Sequence, residues 1–351
     1  MSAKPHPEIP PPALRLSVDR AALAANWRAL DAMSDRAATA SAVKADAYGV
    51  GIHNAMPALL EAGCRDFYVA HWCEVVGALD HCDAASLAVL HGPVNAADCA
   101  YARATGVRPV LNSLQQVRIW LESGGGPCDL MVDTGMNRLG LRPEELGDPL
   151  VARLEVDVLM SHLACADEDS AANDHQRSAF AAILGTVPHH RASLANSAGI
   201  ALGEAYRFDL TRPGLALYGG VPRHEMHGKL SQVVTPEAAI LQVRHVPAGE
   251  TVGYGGTYRA TRDTAVGIVA LGYADGYLRC WSDLGMLRSE GRKLPVIGRV
   301  SMDMTAIDLS AAPDLAEGDW VSVEYDLPSA AQKSGLSQYE LLTVLGPRIR
   351  S

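Results

Sequence analysis

Between residues 41 and 219 eight short apolar runs recur, with helical-looking segments between them. They read "SAVKA" (41–45), "FYVA" (67–70), "LAVLH" (87–91), "RPVLN" (108–112), "LMVDT" (130–134), "VLMSH" (158–162), "RASLANS" (191–197) and "LTRPGLALYG" (210–219). Strands covered on both faces lose the alternation of a half-exposed strand and become near-continuously apolar, as parallel strands do. Eight strand–helix repeats in roughly 200 residues are what a (β/α)8 barrel requires. The segment before them, "LSVDRAALAANWRALDAM", reads as a short strand and then a helix with Asp19 as N-cap, leading into the barrel. After residue 235 the texture changes. "AAILQVRHV", "TAVGIVALGY", "KLPVIGRV", "MTAIDL" and "DWVSVEY" are separated by Gly, Pro and Asp without intervening helices, the pattern of antiparallel strands. A last helix is expected at "SQYELLTVLG", where Ser337 and Glu340 have capping-box spacing and Gly346 marks the stop. The expected fold is therefore α/β + β: an N-terminal (β/α)8 TIM-type barrel over residues 1–234, then a mainly antiparallel C-terminal β domain over residues 235–351 with a terminal helix.

Composition narrows the partners. A formal net charge of −10, with no run of Lys or Arg, argues against nucleic acid and against an anionic membrane surface, and leaves a small molecule as the expected partner. No stretch approaches the roughly 20 apolar residues of a spanning helix, and "MSAKPHPEIPPPALRL" has no secretory pattern, so a cytoplasmic location is expected. The 7 cysteines are scattered and the 12 histidines lack paired ligand spacing; reduced thiols and no metal site are expected.

In a barrel of this kind the chemistry sits at the C-terminal ends of the strands. The unusual residues of this chain gather there. Lys44 ends the first run, Asp133 and Arg138 follow the fifth, His162 ends the sixth, Asn196 and Ser197 end the seventh, and Arg212 lies in the eighth. A lysine at a buried strand end loses hydration, which lowers its pKa and frees the amine to form a Schiff base. Taken alone, "SAVKADAYGVG" favours a plainer reading, a lysine whose stem lies on apolar surface while its ammonium reaches water. Singly, Arg138 also reads as a loop arginine, His162 as a core histidine and "NSAG" as a capping turn. Together they read otherwise. "ANSAGIAL" and "RPGLALYG" put small residues with backbone N–H groups at the last two strand–helix junctions, where such barrels grip phosphate. A lysine on the first strand is their neighbour around a closed ring, and the combination points to pyridoxal 5′-phosphate.

These residues carry a resemblance. "VKADAYGVG", "VDTGMNRLG", "SHLACADE", "LANSAG", "RPGLALYG", "LGYADGYLR" and "GRVSMDM" stand in the order of the alanine racemases, pyridoxal-phosphate enzymes of fold type III. The resemblance covers nearly the whole chain, and the lysine motif and "GYADG" are its most specific parts. It implies racemisation of alanine by two bases, because one group cannot take a proton from one face of Cα and return it to the other. Lys44 would carry the cofactor and be one base; Tyr273 would be the other, supplied by the partner in a head-to-tail homodimer. Tyr48 and Tyr339 would donate to the phosphate with Ser197, Asn196 and the backbone of Gly214 and Leu215. Arg212 would face the pyridine nitrogen and keep it unprotonated, and His162 would lie near the ring and hydrogen-bond the second base. Arg138 and the backbone of Met302 would hold the substrate carboxylate. A role in supplying D-alanine for peptidoglycan is the expected use.

The chain departs from the family in one place. Many members carry a lysine seven residues before the arginine, which becomes carbamylated and orients it; here that residue is Met131, which cannot. Ser301 stands where a cysteine is common. Three other readings remain beside alanine: a racemase accepting serine or other small amino acids, a fold type III decarboxylase, and a pyridoxal-phosphate carrier without turnover. The decarboxylase needs an acid at the pyridine nitrogen instead of Arg212, and a carrier has no use for a β domain of this size.

Overall fold

A computed structural model describes residues 10–350, in two compact units. The first nine residues, in which no secretory segment is expected, lie outside the described part.

Residues 19–233 form the barrel unit. Its first strand is in two pieces, Ala38–Thr39 and Ser41–Ala42, and Phe67–Val69, Leu87–Val89, Arg108–Leu111, Pro127–Met131, Glu155–Met160 and His189–Ser193 follow in sequence order as one parallel sheet. The eighth strand, Leu210–Thr211, pairs in parallel with Ala38–Thr39. On its other side Asp209 N–H donates to Ala192 C=O at 3.0 Å and Arg212 N–H to Ala195 C=O at 2.8 Å, which joins the last strand to the seventh and the first. All eight apolar runs of the sequence thus become strands. Tyr68, Val110, Met131, Val158, Met160 and Leu210 belong to one buried cluster contributed by successive strands, and a second cluster, including Val117, Leu130, Leu159 and Phe180, binds the helices to the sheet. Helix starts follow the local chemistry: Asp19, Asn95, Ser113 and Ser170 each accept a backbone N–H of the first turn.

The remaining residues form the β unit, and here one expectation fails. Strand Leu14–Val18 does not lead into the barrel. It pairs antiparallel with Val234–Val246, Leu14 opposite Ala238 and Val18 opposite Val234, so among the described residues the β unit takes in this strand from before the barrel, and the barrel unit begins at Asp19. The cross-strand pair Arg15–Glu237, 2.7 Å apart, marks the register. Nearness in sequence to the Asp19 cap does not decide a strand's partner; the alternating edge of Val234–Val246 does. The sheet runs Arg292–Pro295, Met286–Ser289, Trp320–Val323, Val234–Val246, Thr264–Val269, Thr305–Asp308. Its hairpin at Glu290–Gly291, both with positive φ, and the helix Leu327–Ser334 were not anticipated. Helix Gln338–Thr343 begins with the expected Ser337–Glu340 capping box.

Candidate active site

In the barrel unit the expected residues collect at the strands' C-terminal ends. Beyond Ser41–Ala42 the chain enters a left-handed turn: Ala45, Asp46, Ala47 and Tyr48 have φ between 52° and 56°. Each such non-glycine residue costs about 1–2 kcal/mol, so the turn is held by its surroundings. Ala47 N–H donates to Val43 C=O at 2.9 Å, Gly49 N–H to Ala45 C=O at 2.9 Å, and Asp46 Oδ1 accepts Ile52 N–H at 2.7 Å at the start of helix Ile52–Ala62. The Glu74 carboxylate accepts Ala45 N–H from the side of the second strand. Lys44 therefore leaves the barrel from a rigid point. Burial first, and then the Arg138 guanidinium, hold its ammonium below the usual lysine range; Glu74 acts the other way.

Tyr48 is buried and stacks on Tyr218, ring centres 4.9 Å apart. Its hydroxyl comes so close to Gly214 that a Cβ there would lie 2.2 Å from Oη, so a side chain at 214 would displace the tyrosine hydroxyl. Ser197, 2% exposed, accepts Gly214 N–H at 2.9 Å and Ala216 N–H at 3.2 Å through Oγ. Those two N–H groups are therefore engaged by a side chain, and with both lone pairs of Oγ filled the serine proton can only be donated. Asn196 caps the turn Ser197–Ala201 by accepting Gly199 N–H at 2.9 Å, and Leu215, buried, opens the next turn, Leu215–Tyr218.

Arg212 is 7% exposed; its guanidinium donates to Ser161 C=O at 2.6 Å and to Ser193 Oγ. Among the described residues no carboxylate lies within ion-pair distance of it. Burial, with the cations Arg212, Arg138 and Lys44 nearby, pushes His162 down to about 3, so its imidazole is neutral at ordinary pH. Gln176 holds the backbone there, donating to His162 C=O at 3.0 Å and accepting Ala164 N–H at 2.8 Å. Asp133 shapes the Arg138 loop by accepting Gly135 N–H at 2.9 Å and Met136 N–H at 2.8 Å, and the Arg138 side chain is exposed. Met131 sits in the barrel's interior cluster.

Tyr273, Met302 and Tyr339 belong to the β unit. Tyr273 opens the turn Tyr273–Asp275, its N–H donating to Ser301 C=O at 3.0 Å, and Ala274 N–H donates to Met302 C=O at 3.0 Å. A Cβ at Gly272 would meet Met302 C=O at 2.3 Å, so the "GYADG" and "SMDM" turns lie backbone to backbone. The Arg279 guanidinium lies 5.2 Å from the Tyr273 ring centre. Tyr339 is on the first turn of helix Gln338–Thr343, 44% exposed. The structure thus gathers the expected residues into two sets, one at the barrel mouth and one on the β unit. Reading the sequence missed Glu74, Ser161, Ser193 and Gln176. They carry no motif, and their partners are set by which strands adjoin.

The family described as "Alanine racemase, N-terminal domain" matches residues 18–222, and that described as "Alanine racemase, C-terminal domain" matches residues 233–351. The alanine racemase of Acidiphilium cryptum is 42% identical over 348 residues, spanning 95% of this chain and 97% of that protein. A protein of Agrobacterium fabrum called alanine racemase, catabolic, is 41% identical over 354 residues, spanning 95% and 90%. Among solved structures, the alanine racemase of Bartonella henselae with covalently bound pyridoxal phosphate superposes with a TM-score of 0.86 at 34% identity, covering 97% of this chain and 99% of that one.

Proposed function

Because the chain belongs to the alanine racemase family, isomerases that interconvert L- and D-alanine, we propose that it works with pyridoxal 5′-phosphate carried on Lys44 and with two bases, Lys44 and Tyr273. The observation that carries this reading is the barrel mouth. A lysine with a depressed pKa, a serine hydroxyl that can only donate, a tyrosine hydroxyl against a glycine backbone and a buried guanidinium without a carboxylate sit on neighbouring strands. These groups fit the cofactor's chemistry: an amine for the aldehyde, donors for the phosphate, and a cation for the pyridine nitrogen. Bound there, pyridoxal phosphate supplies an electron sink that acidifies the proton on the substrate's Cα.

The protein's own groups do the rest. Lys44 Nζ, held below the usual lysine range by burial and Arg138, takes or gives the Cα proton on one face. Tyr273 Oη serves the opposite face. Arg212 would face the pyridine nitrogen as a cation and hold it unprotonated, which would weaken the sink and keep side reactions such as transamination slow. The neutral His162 would lie near the ring and hydrogen-bond Tyr273. Arg138 and the Met302 backbone receive the carboxylate, and Tyr48 and Tyr339 donate to the phosphate with Ser197. We place the two bases in one site through a head-to-tail homodimer, each β unit serving the other subunit's barrel, and assign the enzyme to the cytoplasm, making D-alanine for peptidoglycan. No described helix is long and apolar enough to cross a membrane.

Two measurements test this. Chiral chromatography of products from a panel of L-amino acids should show alanine turned over fastest, and serine ahead of alanine would shift the assignment to a broader racemase. Mixing inactive Lys44→Ala and Tyr273→Phe chains under subunit exchange should restore activity, since a hybrid dimer holds one site with both native bases. Mixtures that exchange and stay inactive would place both bases in one subunit.

A further inference from the structure

Glu74 ends the short turn Trp72–Glu74 just beyond the second barrel strand and has no part in the mechanism above. Its carboxylate is taken up by backbone. Oε2 accepts Ala70 N–H at 2.7 Å and His71 N–H at 2.9 Å, which fixes the acid to the end of its own strand, and Oε1 accepts Ala45 N–H from the first strand. Ala45 is the residue after Lys44 and the first of the four left-handed residues. We infer that Glu74 is a positioning residue for Lys44: it clamps the entry of the left-handed turn, one residue after the lysine, to the neighbouring strand.

A carboxylate suits the task as an amide does not. Three N–H groups converge on two oxygens, and glutamine offers one acceptor oxygen and turns an NH2 group toward a donor. The turn cannot rely on local preference, because four L-residues in left-handed geometry relax unless the surroundings over-determine them. At its start, the hydrogen bonds Ala47 to Val43 and Gly49 to Ala45 stay within the segment, whereas the Glu74 bond crosses to another strand. The charge has its own effect. Lys44 is faced by Arg138, by His162 and by His91, and Glu74 is the carboxylate that opposes this set by favouring the ammonium. Removing it should leave the amine less basic as well as less fixed.

The assignment rests on Lys44 being the amine that carries the cofactor, so its test is made first on the protein freed of cofactor. The extent of Lys44 acylation by an amine-directed reagent, followed by mass spectrometry of the Lys44 peptide across pH, reports the amine directly. In Glu74→Gln and Glu74→Ala the curve should move to lower pH. In the reconstituted enzyme kcat should fall about tenfold with KM within about threefold, since the loss is one of orientation. Glu74→Asp keeps the charge but shortens the reach; its labelling curve should stay with the native protein while kcat falls. Unmoved curves in Gln and Ala, or native kcat in both, overturn the proposal; should the Ala variant not fold, the Gln variant decides alone. A Lys44→Ala chain that still retains borohydride-reducible cofactor would overturn the functional reading and this proposal with it, whereas unmoved Glu74 curves with that control intact overturn this proposal alone.

Discussion

At the N-terminal end of the barrel Arg191 holds Asp66 at 2.9 Å and Asp157 at 2.8 Å, and Arg108 lies 3.2 Å from Asp129 and 3.5 Å from Asp157. At the C-terminal end Arg212 is as buried as Arg108 but donates to a carbonyl and a hydroxyl, and Lys44 and His162 add basic groups to the same region. One end thus matches charge with charge inside the fold, while at the other Glu74 opposes Lys44 but Arg212 has no carboxylate within ion-pair distance among the described residues. A buried charge without an internal counterpart is costly unless something else supplies it, so the contrast separates a region matched for stability from one that suits the anionic cofactor proposed above. The Asp129 carboxyl sits on this boundary. Burial pushes it up to about 6 even with Arg108 beside it, and Tyr68 Oη donates to it at 3.4 Å.

Substitutions at the two ends should therefore fail in different ways. The largest effect is expected at Lys44: Lys44→Ala should lose activity by at least about 10⁴-fold, the amine being both anchor and base, with little change in the urea midpoint. A comparable drop in midpoint would erase the contrast. Next comes Asp129→Ala, which leaves Arg108 short of its closest carboxylate and should cost about 3–5 kcal/mol in urea unfolding, with kcat of the folded protein within about threefold. A stable but inactive variant would show that charge at this end governs the catalytic end after all. The smallest effect at neutral pH concerns His162. Its folded pKa is depressed to about 3 from 6.5, so between those values the unfolded chain binds the proton that the folded chain refuses, and stability falls as pH drops through this window. In the cofactor-free protein His162→Gln should flatten the stability–pH curve between pH 6.5 and pH 3, the interval its pKa shift defines. An unchanged curve would mean that His162 is not held neutral by its neighbours.

Much of this fold can be read from the residues because parallel strands buried on both faces leave an unmistakable trace, eight apolar runs, and the runs also carry Lys44, His162, Ser197 and Arg212 to their ends. What stays hidden depends on adjacency in space. That Glu74 reaches Ala45, or that Ser193 and Ser161 receive Arg212, follows only once the first strand lies beside the second and the sixth, seventh and eighth stand in order. The strand Leu14–Val18 shows the same limit: its alternation announces a strand but not the strand it joins.

That strand has a consequence for how the protein comes into being on the ribosome. Leu14–Val18 is made before the barrel, yet its partner Val234–Val246 emerges only after the whole barrel has been synthesised. The earlier strand must wait with its backbone edge unsatisfied, while the barrel can close with strands already in hand. A fragment beginning at residue 235 would carry the complementary defect, a sheet whose longest strand has lost its first residue and one of its neighbours. The β unit is therefore completed only after the barrel, although one of its strands is made before it.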